Sequence, residues 1–151
     1  MYTKAQRIER SKDTVKMMML TDRLHRKECE KRFASLNIHR SQHMMLLTLA
    51  RLGDGISQKA LAEELHISTA AVAKSLKKLE HDGMIARSAC TDDARQNELM
   101  ITDVGKSIVD ESRCIMKALD TEVVSALSDD ELDTFCNLIK KIHSTLSDMQ
   151  K

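Results

Sequence analysis

Residues 68–83, STAAVAKSLKKLEHDG, hold the side chains best suited to act on another molecule. Val72, Leu76 and Leu79 recur at i, i+4 and i+7, the spacing of a stripe that a helix buries. Thr69, Ala70, Ala73, Lys74 and Lys77 fall away from that stripe. Small residues let a helix lie close against a groove, and lysines one turn later reach phosphates or base edges. Lys78 lies further round and reads as solvated. A lone lysine triplet is ordinarily a solvated face, so the surrounding elements must decide its meaning.

A second set lies in TDDARQNELMIT, residues 91–102, where Arg95 sits among Asp92, Asp93 and Glu98. On an isolated hairpin such a pairing contributes little. His39 and His43 are four residues apart, as are His25 and Cys29, a spacing that metal ligands use on a helix. Neither pair has an evident third or fourth ligand, so no metal and no cofactor is expected. Cys29 stands near Arg26, Lys27, Lys31 and Arg32, and such a setting lowers a thiol's pKa, making it the redox candidate. Cys90, Cys114 and Cys136 read as packing thiols, since no CxxC pair occurs. There is no G-x-S-x-G, Gly-rich phosphate loop or H-E-x-x-H, so nothing points to an enzyme.

Composition narrows the elements that could position these groups. Hydrophobic content of 42% supplies a core, while four Gly and no Pro favour long helices over many tight turns. Aromatics make up only 2%, which leaves Leu, Ile, Val and ten Met to fill that core. Net charge is +1, but residues 1–40 hold eleven Lys/Arg against five Asp/Glu, and residues 103–151 hold six against ten. Any contact with a polyanion must therefore rest on a local surface rather than on bulk charge. No apolar run approaches the roughly 20 residues that span a bilayer, and MYTKAQRIERSKD is too polar for a secretory signal. The cytoplasm is the expected location, with no membrane partner.

Residues 4–36 read as one long helix, with Ile8, Val15, Met18, Met19, Cys29, Phe33 and Leu36 near helical spacing. Ser41 is the expected N-cap of a second helix reaching Leu52, which GDG at 53–55 ends. Ser57 caps QKALAEEL, and Ser68 caps the helix that Gly83 ends. Two closely spaced helices, the second with an apolar rear and a small, basic front, describe a helix-turn-helix. MIARSAC and NELMIT then read as two strands around TDDARQ, with Leu99 and Ile101 packing inward. Thr102 caps a helix from Asp103 to near Leu127, and Ser128 with Glu131 forms a capping box for the last one. The first and last two helices carry more apolar surface than a small winged domain needs. A dimer interface explains the excess.

SQKALAEELHIS, VAKSLKKLEHDGMI and DDARQNELMITDVG together resemble the MarR family of winged-helix regulators. The last piece matches the family's wing pattern: Asp and Arg two apart, then apolar-x-apolar-Thr, then Gly three beyond. The resemblance implies a mainly α fold with a small β-hairpin wing, a winged helix-turn-helix with N- and C-terminal dimerisation helices. It assigns residues 1–36 to dimerisation, 37–102 to DNA binding and 103–151 to dimerisation, within one compact domain. It implies a homodimer on double-stranded DNA at a pseudo-palindromic operator, usually as a repressor, with many members released by a small-molecule effector or by oxidation.

Carried over by position, Ser68, Thr69, Ala70, Ala73, Lys74 and Lys77 face DNA in the major groove. The family often has Thr or Ser, then Arg, where this chain has Ala73 and Lys74. Ala still meets a thymine methyl, but Lys lacks the bidentate fork of Arg, so the departure bears on which bases are read. The wing reading sends Arg95 into the minor groove, where focused negative potential attracts an arginine. Asp93 then holds Arg95 by a charge-assisted hydrogen bond, and Arg87 on the preceding strand is a candidate phosphate contact. The readings set against this are a helical dimeric scaffold that binds no DNA, and a redox- or metal-sensing form of the regulator.

Overall fold

A computed structural model describes residues 2–89 and 97–150. Helix α1 covers Lys4–Phe33 and runs into a 3-10 turn at Ala34–Leu36; α2 covers Arg40–Leu52. A two-residue strand β1, Ile56–Ser57, precedes α3 (Gln58–Glu64) and α4 (Thr69–His81). Strands β2 (Ile85–Ala89) and β3 (Asn97–Ile101) follow, then α5 (Asp103–Val123) and α6 (Asp129–Asp148). The chain divides into two compact units, 1–115 and 116–151. Among the described residues, no helix is long and apolar enough to cross a membrane.

The first unit is built around one apolar core. Met45, Leu46 and Leu49 of α2 are buried together with Leu61 of α3 and the stripe Val72, Leu76 and Leu79 of α4. Phe33 and Ile38 close one end, and Ile85, Leu99 and Ile101 bring in the sheet. That sheet has three antiparallel strands in the order β1-β3-β2, with Ile85 opposite Ile101 and Arg87 opposite Leu99. The hairpin was legible in the sequence, but β1 was not. It pairs Ile56 with Leu99 and Ser57 with Glu98, and two residues are too few to show an alternating pattern.

Local chemistry fixes most element ends. Ser57, Ser68 and Ser128 each accept a backbone N–H as N-caps, from Ala60, Ala71 and Glu131 respectively. Thr102 Oγ1 accepts from the Gly105 N–H at 3.1 Å and donates to the Gly83 carbonyl at 2.7 Å. Gly105 itself is a point of close approach, because a Cβ there would stand 2.1 Å from the Met84 carbonyl oxygen. The glycine of ITDVG is therefore demanded by packing of α5 on the start of β2.

Four expectations need correction. The second helix is capped at His39 rather than Ser41. Gln42 Oε1 accepts from the His39 N–H at 2.9 Å, and Glu30 of α1 accepts from the Arg40 N–H at 3.1 Å, so the helix opens two residues earlier than a Ser41 cap would set it. The last turn of the helix expected to reach Leu127 is absent, since α5 ends at Val123. Cys114 and Cys136 are exposed rather than packed. Finally, of the described methionines only Met45 and Met84 join the core, while Met17, Met19, Met44, Met100 and Met149 are exposed.

Candidate nucleic-acid interface

The candidate surface depends on how α3 and α4 meet. His66 adopts a left-handed conformation, φ 52°, which turns the chain sharply between the two helices. Gln58 at the start of α3 donates through Nε2 to the Thr69 carbonyl at 3.3 Å, fixing the two helix starts against each other. Behind α4, Val72, Leu76 and Leu79 have no exposure at all. The helix consequently has a fixed rear and a defined front.

That front carries the residues singled out from sequence. Ser68, Thr69, Ala70, Lys74 and Lys77 are exposed, and Ala73 is half-buried at the margin of the stripe. His81 is also exposed, seven residues beyond Lys74 and four beyond Lys77, which puts it on the same face. Sequence reasoning passed over it because it ends the helix; its spacing from the two lysines was the available signal. Gln58 was missed as well, since nothing in QKALAEEL marks its side chain as a link to α4.

The lysines are not equivalent. Lys78 is half-buried, and its Nζ lies 3.5 Å from the Asn37 carbonyl in the corner between α1 and α2. Its ammonium is thereby engaged within the protein at the edge of the front that Lys74 and Lys77 share. Arg87 is likewise engaged within the chain: its Nε donates to Glu80 Oε2 at 3.0 Å. Arg95, Asp93 and Cys90 lie outside the described residues.

Two histidine ideas resolve differently. His39 is exposed at the N-terminus of α2, with Nδ1 3.1 Å from Glu30 Oε2. His43 is buried, with its ring centroid 4.7 Å from that of Phe33. Burial, reinforced by the positive charges of Arg40 and Arg113, lowers its pKa to about 4, so the ring is neutral at physiological pH. These two rings occupy separate environments. Among the described residues, no three His, Cys, Asp or Glu side chains gather as metal ligands. Cys29 has 0% exposure and lies 3.8 Å from the His25 ring nitrogens. An oxidant in solvent does not reach a thiol so placed without an opening of the fold, which works against a sensor role.

A winged helix-turn-helix with an exposed, small-residue and lysine front on its second helix is now in view. Residues 38–96 match the model of the MarR family. Over this segment the chain is similar to the MarR family. Solved structures agree on the fold. A MepR–DNA complex from S. aureus is 24% identical, with a TM-score of 0.70 over 86% of this chain and 94% of that one. A mutant MarR from E. coli complexed with operator DNA is 20% identical, with a TM-score of 0.73 over 84% and 91%. The transcriptional regulator SlyA is 19% identical, with a TM-score of 0.74 over 90% and 95%. The MarR-type fold thus extends well beyond the matched segment, including helices on either side of it.

Proposed function

We propose that the chain is a dimeric, sequence-specific DNA-binding transcriptional regulator, a repressor of its own promoter region released by a small-molecule effector. The observation that carries this reading is the front of α4. Ser68, Thr69, Ala70, Ala73, Lys74 and Lys77 line one side of a helix whose other side is wholly buried. A rigid helix presenting small residues and ammonium groups can enter a major groove, with the lysines and the helix N-terminus engaging phosphates. Arg95, aimed by Asp93, supplies the wing contact in the minor groove. The match of residues 38–96 to the MarR family model supports the DNA-binding part of this reading. It also favours a binding protein over an enzyme, working in the cytoplasm where DNA is accessible.

Dimerisation accounts for apolar surface that the single chain leaves uncovered. On α1, Val15, Met19 and Leu20 line an open groove beside Lys12 and Lys16. On α6, Phe135 and Leu138 line another beside Asp130 and Glu131. Soluble monomers rarely leave such faces open. Assignment of residues 1–36 and 103–151 to dimerisation belongs to this proposal. Two subunits related by a two-fold axis would set their α4 helices in successive major grooves, about one helical turn apart. An effector would act by shifting the population of spacings between the two DNA-binding lobes.

Binding to DNA from upstream of the gene, measured at several salt concentrations with and without Arg95→Ala, tests the reading. A specific complex that weakens with salt and with the substitution is expected. Undiminished affinity in Arg95→Ala would remove the wing from the mechanism. Absence of any specific complex would favour the scaffold alternative.

A further inference from the structure

Arg87 is the third residue of β2 and stands opposite Leu99 of β3. Cross-strand partners share a face of the sheet. Leu99 is fully buried, and the next pair on that face, Ile85 with Ile101, is buried as well. Arg87 therefore occupies an inward position, where an apolar residue would ordinarily sit. Its side chain is 27% exposed, and its Nε donates to Glu80 Oε2 at 3.0 Å. Glu80 lies in the last turn of α4, next to buried Leu79 and three residues beyond Lys77. One ion pair thus joins the helix that carries the DNA-facing set to the strand that leads into residues 90–96.

We propose that Glu80 and Arg87 form a positioning latch that sets the approach of the wing relative to α4, with Arg87 acting through Glu80 rather than as a phosphate ligand. The inference rests on the DNA-binding reading above. A guanidinium already bonded to a carboxylate has its charge compensated. A phosphate could claim it only by displacing Glu80. Holding the strand at a fixed angle has a separate benefit, because a wing that is already aimed loses less freedom when it docks.

The two roles predict opposite signs for one substitution. Glu80→Gln removes a negative charge from a helix that faces a polyanion, so simple electrostatics predicts tighter binding. The latch predicts weaker binding, by about two- to fivefold, the scale of a partly exposed ion pair. Arg87→Gln should weaken binding by a similar factor, and the double variant should be no worse than either single one. Exchanging the charges, Glu80→Arg with Arg87→Glu, should restore most of the affinity. Across all four variants the dependence of log affinity on log salt should keep its slope, because no phosphate contact is lost. Tighter binding by Glu80→Gln, or a slope reduced by about 0.9 in Arg87→Gln, overturns the latch.

Amide hydrogen exchange on β2 and β3 of the free protein provides a readout that needs no DNA. Faster exchange in both single variants, reversed by the charge exchange, is expected. If the wild-type chain binds no specific DNA, the regulator reading fails while this exchange result still judges the contact. If wild type binds and Glu80→Gln changes neither exchange nor affinity, the latch alone fails.

Discussion

Helices α4 and α6 carry the same sort of apolar stripe and meet opposite fates. In α4, Val72, Leu76 and Leu79 are completely buried within the chain. In α6 no residue is buried, and Phe135, Leu138 and Leu146 are 49%, 51% and 54% exposed. Helix α1 shows both behaviours along its length, with Cys29 and Phe33 buried near its end and Ile8, Val15 and Met19 exposed before them. Periodicity reports that a face wants cover; it does not say which chain provides it. The winged region closes its own core, whereas the two terminal helices keep apolar faces that a second copy can cover.

The sharpest way to break this contrast is to remove one leucine from each stripe. Leu76→Ala should cost about 3–4 kcal/mol of unfolding free energy, from lost burial and the cavity left behind. That loss should be the same at every protein concentration. Leu138→Ala should instead act through association, lowering the melting temperature only at concentrations where wild type is dimeric. Chemical unfolding at several protein concentrations separates the two. A concentration-independent loss of similar size in Leu138→Ala would show that α6 is stabilised within its own chain.

The polar residues buried in the winged region set the next largest effect. His43 is 3% exposed, and its pKa is held at about 4 against an ordinary 6.5. Because the folded value is depressed, the unfolded chain takes up the proton first as pH falls. The associated stability is fully present above pH 6.5 and is lost progressively down to about pH 4. The gap between those values corresponds to at most about 3–4 kcal/mol. Unfolding free energies measured across that window should fall more steeply for wild type than for His43→Gln. Parallel curves would mean that another group governs the acid limb.

These two tests also mark what could be read in advance. The stripe of α4, its Ser68 cap and its exposed front were legible because each rests on contacts within a few residues. The inward placement of Leu99 and Ile101 followed from alternation alone. What escaped notice depends on distant partners: β1 exists because Leu99 and Glu98 lie beside it, and α2 begins at Arg40 because Glu30 reaches across from α1. Arg87 was readable as a basic residue on a strand, but not as an inward-facing one paired with a helix. Exposed Cys114 and Cys136 show the same limit, since thiol composition does not reveal which face of a helix is covered.

Glu30 offers a test of that long-range positioning. Its carboxylate accepts from the Arg40 N–H and lies 3.1 Å from His39 Nδ1, taking the role that a local serine cap fills elsewhere. Glu30→Ala should cost about 1 kcal/mol, the usual value of a lost N-cap. Ser41→Ala, at the position where sequence alone suggested the cap, should cost much less. Equal effects in a thermal melt would deny Glu30 the capping role.

The smallest effect separates two lysines four residues apart on one helix. Lys74 is exposed on the front of α4, whereas Lys78 is half-buried and lies 3.5 Å from the Asn37 carbonyl. If the front alone faces DNA, Lys74→Ala should lower the salt slope of binding by about 0.9 and the affinity by about 1 kcal/mol. Lys78→Ala should leave the slope unchanged, because the contact it loses is internal to the protein. Both variants remove one positive charge from the same helix, so bulk electrostatics predicts equal losses. Equal slopes would mean that the helix acts as a diffuse basic surface, and the division between a buried rear and a reading front would lose its functional meaning.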